Sequence, residues 1–101
     1  MPFVNAGRLA DLAPDSVMEA MVEGSPYAIC RVGGEVRALT GVCPHRGGPL
    51  GQGQIHEGHV VCPFHLWAFD CRTGACDTDP ALRIASFEVR IEDGRILLRV
   101  P

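Results

Sequence analysis

An all-β fold is predicted by three features of the sequence. β-Prone runs at residues 27–32 and 35–40 flank Gly33-Gly34, and runs at 86–92 and 95–100 flank Asp93-Gly94. Both dipeptides suit the two-residue hairpin turns that need positive φ. Phe87, Val89 and Ile91 alternate with Glu88, Arg90 and Glu92, the period-two pattern of a strand with one face in a core and the other in water.

The remaining elements, in chain order, are short. Residues 1–8 lack a basic segment followed by an apolar stretch, and no apolar run approaches the roughly 20 residues of a membrane span; a soluble, cytoplasmic chain is expected. Ser16–Glu23 alone leans towards helix, with Pro14-Asp15 before it and Glu19 and Glu23 suited to a helix surface. His59–Val61 and Trp67–Cys71 read as strands bracketing a tight loop. Thr73-Gly74 suits a two-residue turn that would set Cys71 opposite Cys76.

Composition narrows the function. A chain of 101 residues makes one domain with a single core, which a tightly bound metal centre would help to stabilise. The net charge of -3 and the absence of lysine leave no basic patch for nucleic acid. Five cysteines suit a disulfide scaffold only in a secreted protein. Cys30, within an apolar run, reads as a small buried hydrophobe, and Cys71 and Cys76 as reduced thiols.

Two boxes carry the chemistry: Cys43-Pro44-His45 and, sixteen residues further on, Cys62-Pro63-Phe64-His65. Each supplies one thiolate and one imidazole from a loop stiffened by proline and glycine. A structural zinc site usually takes two cysteines from one turn and two histidines from one helix. The mixed pairing here favours a centre with two chemically different ends, such as two irons, one held by both cysteines and the other by both histidines. A zinc-binding interaction domain remains an alternative on ligand type alone.

The spacing Cys-x-His, sixteen residues, Cys-x-x-His resembles the Rieske 2Fe-2S family. The likeness extends through Arg46-Gly47-Gly48-Pro49-Leu50, Trp67-Ala68-Phe69-Asp70, Thr73-Gly74 and the closing hairpin Phe87–Val100, and is greatest to the small Rieske-type ferredoxins. It implies the Rieske fold, a small antiparallel β-sandwich in one domain (residues 1–101) with an inserted cluster-binding subdomain at about 42–80. It also implies one 2Fe-2S cluster ligated by Cys43, His45, Cys62 and His65, and a strand rather than a helix at Ser16–Glu23.

In the family the histidine ligands lie near the surface, so the resemblance makes their rim the exit for the electron. Pro44, Arg46, Pro49, Leu50, Phe64, Leu66 and Trp67 would surround it as an apolar collar with one charge, suited to weak partner docking, unless Phe64, Leu66 and Trp67 simply shield the cluster from water. Respiratory Rieske proteins carry an extra, disulfide-linked cysteine in each loop and hydroxyl side chains after the second box. Gly48, Phe64, Trp67 and Phe69 stand at those places, which implies a potential towards the lower end of the roughly -150 to +300 mV range. Leu66 departs from the glycine usual after the second histidine.

No catalytic triad, phosphate-cradling loop or nucleotide fingerprint is present, and His56 and His59, without a cysteine at ligand spacing, read as surface residues. The chain therefore resembles an electron-transfer ferredoxin rather than an enzyme. The expected partners are an NAD(P)H-dependent flavoprotein reductase and a terminal aromatic-ring-hydroxylating oxygenase. The alternative setting is a Rieske-like small subunit of an assimilatory nitrite reductase.

Overall fold

The structure, a computed structural model, describes residues 3–44, 47–64, 66–79 and 81–101. Among them ten strands pair in antiparallel fashion: β1 (Phe3–Arg8), β2 (Ser16–Val22), β3 (Ser25–Val32), β4 (Glu35–Thr40), β5 (Gln54–His56), β6 (His59–Val61), β7 (Ala68–Asp70), β8 (Ser86–Phe87), β9 (Val89–Glu92) and β10 (Arg95–Arg99). They form three sheets, ordered β1-β10-β9, β2-β3-β4-β8 and β5-β6-β7. The helical pieces among the described residues are two 3-10 turns, Leu9–Asp11 and Leu50–Gln52.

Both predicted hairpins form. Their turn residues take positive φ, 58° and 81° at Gly33 and Gly34, and 51° and 75° at Asp93 and Gly94. Glu23-Gly24 and Glu57-Gly58 make two more turns of the same kind, less legible in sequence because glutamate is a poor marker for left-handed backbone. Ser16–Val22 is a strand paired along its whole length with β3, from Ser16 opposite Arg31 to Val22 opposite Ser25. Burial of Ala20 and Val22 and a full ladder outweigh the weak helical preference.

The run 86–92 is broken where one strand was expected. Ser86 and Phe87 pair with β4, whereas β9 pairs with β10, so the chain changes sheets at Glu88. Phe87 and Val89 pack on the core, but Ile91 is 40% exposed; the alternation marks an inner face that ends before the hairpin tip.

The sheet containing β3 is covered on both sides. Tyr27, Ile29 and Ala38 join Ile96 and Leu98 in one apolar cluster beneath the sheet of β1, β9 and β10. Ala28, Cys30 and Leu39 point the other way and join Leu50, Val60 and Phe69 in a second cluster. A strand buried on both faces shows no alternation, which explains the unbroken apolar run at 27–30. The sheet of β5, β6 and β7 is inserted between β4 and β8, and the second cluster fastens it to the sandwich.

Candidate metal centre

Two loops close in the same way. After β4, the Cys43 N–H donates to the Gly48 carbonyl at 2.9 Å; between β6 and β7, the Cys62 N–H donates to the Trp67 carbonyl at 2.7 Å. Each bond spans five residues. In each loop the residue four after the cysteine has left-handed backbone: Gly47 with φ 71° and Leu66 with φ 59°. One closure thus demands positive φ at equivalent places, met by glycine in the first loop and by leucine in the second. For an L-residue that conformation costs roughly 1–2 kcal/mol, so the departure at Leu66 is a strained one.

The loops bring Cys43 and Cys62 together. Both are buried, and their thiols lie within hydrogen-bonding reach of each other. The Phe64 N–H donates to the Cys62 sulfur at 3.4 Å. Burial pushes the Cys62 thiol above its ordinary pKa, the Phe64 N–H works in the opposite direction, and neighbouring Cys43 adds to the rise. Two soft sulfur donors, from separate loops, meeting in a dry apolar setting suit the thiolate end of an iron-sulfur cluster. His45, His65 and Arg46 lie outside the described residues.

Gly48 shows how closely the loops pack. A Cβ there would stand 2.7 Å from the Cys62 sulfur and 3.1 Å from the Phe64 Cβ. Positions 48 and 64, which the resemblance paired as sites of an absent disulfide, are therefore neighbours in space. Below the second loop, a Cβ on Gly53 would stand 1.9 Å from the Val61 carbonyl oxygen, a close approach that positions the residue just before Cys62.

Among the described residues the collar differs from expectation in one member. Leu50 is fully buried, because the 3-10 turn Leu50–Gln52 aims it into the second cluster; its burial is worth about 1.5–3 kcal/mol and it presents nothing to a partner. Pro44 and Pro63 are exposed, Pro49 is half-buried, Phe64 is 49% and Leu66 72% exposed, and Trp67 is half-buried against the core. Val42, 41% exposed and bridged to Pro49, extends the apolar rim. It was illegible in sequence because a valine at a strand end gives no sign of its direction.

Cys71 does not face Cys76. The Asp70 carboxylate accepts the N–H groups of Arg72 and Thr73, so the turn begins at Asp70 and sets Cys76 opposite Phe69. Cys71 instead meets Cys30: the Cys30 thiol hydrogen-bonds Cys71 in the core, a pairing that 41 positions of separation concealed. His56 is exposed beside Glu57 and lies across the β5-β6 hairpin from His59.

The family pattern of the Rieske 2Fe-2S domain matches residues 3–88. The anthranilate 1,2-dioxygenase ferredoxin subunit of Burkholderia cepacia is 30% identical over 95 residues, covering 93% of this chain and 88% of its own. The ferredoxin of carbazole 1,9a-dioxygenase from Nocardioides aromaticivorans IC177 superposes with a TM-score of 0.86 at 29% identity, covering 97% of each chain. A putative NADH-dependent nitrite reductase small subunit from Mycobacterium tuberculosis superposes with a TM-score of 0.87 at 26% identity, covering 99% of this chain and 96% of its own. No helix among the described residues is long and apolar enough to cross a membrane. The family's cofactor is a Rieske-type 2Fe-2S cluster rather than a tetrahedral zinc ion, and the paired buried thiols fit it; the chain belongs to the Rieske 2Fe-2S domain family.

Proposed function

We propose that this protein is a soluble, cytoplasmic Rieske ferredoxin, a carrier rather than an enzyme. It takes single electrons from an NAD(P)H-dependent flavoprotein reductase to a terminal oxygenase of aromatic-ring hydroxylation. The observation that carries this reading is the nearly full-length correspondence with ferredoxin components of dioxygenase systems. One Rieske domain would span residues 1–101, with the sheet of β5, β6 and β7 and its loops as a cluster-binding subdomain at about 42–80. Cys43 and Cys62 would hold one iron, and His45 and His65 the other. When bound, the cluster supplies a one-electron redox couple. The chain's own contribution is to keep the sulfur donors dry, to donate the Phe64 N–H to Cys62, and to offer Pro44, Pro63, Phe64 and Leu66 as an exposed face for partners.

Anaerobic stopped-flow reduction by candidate reductases, followed by transfer to candidate oxygenases, tests the route. Electron paramagnetic resonance identifies the centre. His45→Cys or His65→Cys should abolish the Rieske spectrum or lower the potential; an unchanged spectrum removes that histidine from the ligand set.

The likeness to the nitrite reductase small subunit favours a second setting, permanent residence in a reductase complex. Co-purification separates the two, because a shuttle dissociates readily and a subunit does not.

A further inference from the structure

Leu66 combines two properties that stability alone does not reconcile: it occupies left-handed backbone suited to glycine, and its side chain is 72% exposed. Such a side chain contributes little to the core while its backbone is strained, and strain of this kind collects where a residue serves a contact outside the fold. Beside it runs a groove of about 190 Å³ lined by Gln52, Gln54, Val61, Cys62, Pro63 and Leu66. None of these side chains carries a charge. Knob and groove together make a relief on the loop that holds Cys62, with Leu66 next in sequence to the expected ligand His65.

We propose that Leu66 is a specificity-determining contact for the terminal oxygenase: its side chain enters an apolar hollow on that partner, while an uncharged side chain of the partner fills the adjoining groove. This rests on the ferredoxin reading above. The cluster ligands, which define the family, cannot distinguish one oxygenase from another. A leucine where the loop closure favours glycine can, because a partner without the hollow meets a steric obstacle. The two glutamines offer hydrogen bonds at the groove wall without a net charge, so the contact made at this groove depends on shape and apolar burial rather than on ionic attraction.

The test measures electron transfer from the reduced, cluster-loaded protein to its oxygenase for wild type, Leu66→Ala and Leu66→Gly, with Met21→Ala as control. Met21 is exposed on β2, outside both loops. The half-saturating ferredoxin concentration is expected to rise about tenfold for both Leu66 variants and to stay put for Met21→Ala. Maximal rate, midpoint potential and reduction by the reductase should not change, and the ratio of variant to wild type should change little when the salt is raised. If Leu66→Ala behaves as wild type while Leu66→Gly does not, the effect belongs to loop shape and the proposal fails. It fails equally if the reductase step suffers the same loss, or if the potential shifts. A wild-type protein that holds its cluster yet reduces no oxygenase overturns the ferredoxin reading itself.

Discussion

Replacing Gly48 by alanine should disturb the junction of the two loops by a calculable amount. The new Cβ would lie 2.7 Å from the Cys62 sulfur and 3.0 Å from the nearest Phe64 ring carbon, whereas ordinary contact begins near 3.4 Å. Phe64 is half exposed and can swing away. The Cys62 sulfur is enclosed, so the loop carrying it, or the turn from Cys43 to Gly48, must move by about 0.7 Å or more. Overpacking on this scale costs about 1–3 kcal/mol. Gly48 has no positive φ, so alanine returns about 0.4–1 kcal/mol by restricting the unfolded chain. The net is a loss of up to about 2.6 kcal/mol, or a fall in melting temperature of up to about 20 °C for a domain of this size. Thermal melts followed by circular dichroism, with iron counted per chain, read both consequences. A variant that melts with the wild type and carries a full complement of iron would refute the close packing of the loops.

Gly53→Ala and Gly74→Ala should be more damaging, because the added Cβ would meet backbone oxygens of Val61 at 1.9 Å and Ile84 at 2.1 Å, and Gly74 also has φ 80°. Losses above about 3 kcal/mol and poor cluster retention are expected in denaturant melts; near-wild-type midpoints would contradict them. In the folded state the Cys30 pKa is raised, first by its hydrogen bond to Cys71 and then by burial. The fold therefore keeps a proton that the unfolded chain loses above pH 9.0. That stabilisation is fully present below this pH and declines above it by about 1.4 kcal/mol per pH unit. The Cys71 pKa is lowered by the same hydrogen bond, so its contribution runs the other way, present above the unfolded value and lost as pH falls. Because Cys30→Ala alone would leave burial and Asp70 to raise Cys71, the test is the double variant Cys30→Ala, Cys71→Ala, whose stability should decline less steeply across alkaline pH; an identical slope would remove this thiol pair as a source. Trp67→Ser and Phe69→Tyr should each raise the midpoint potential, by about 60 mV if the hydroxyl makes one charge-assisted hydrogen bond of about 1.5 kcal/mol. A wild-type midpoint well above zero would contradict the low-potential assignment.

The sequence alone determined two hairpin turns and the family, because each is local chemistry: Gly33-Gly34 and Asp93-Gly94 declare their backbone angles, and a cysteine and histidine two or three residues apart, twice over, declare the family's boxes. It also marked Leu66 as out of place. What it left open depends on contacts between distant segments. Ser16–Val22 is a strand because β3 offers it a complete ladder, and Glu88 is a corner because two sheets compete for the flanking residues. Leu50 turns inward at the start of a short 3-10 turn, whereas Val42, bridged to Pro49, stays at the surface. Cys30 finds Cys71 only when the inserted sheet settles on β3. Dihedral preferences belong to single residues and survive in the linear text, whereas burial and side-chain partnership are properties of packing, which only the folded chain decides.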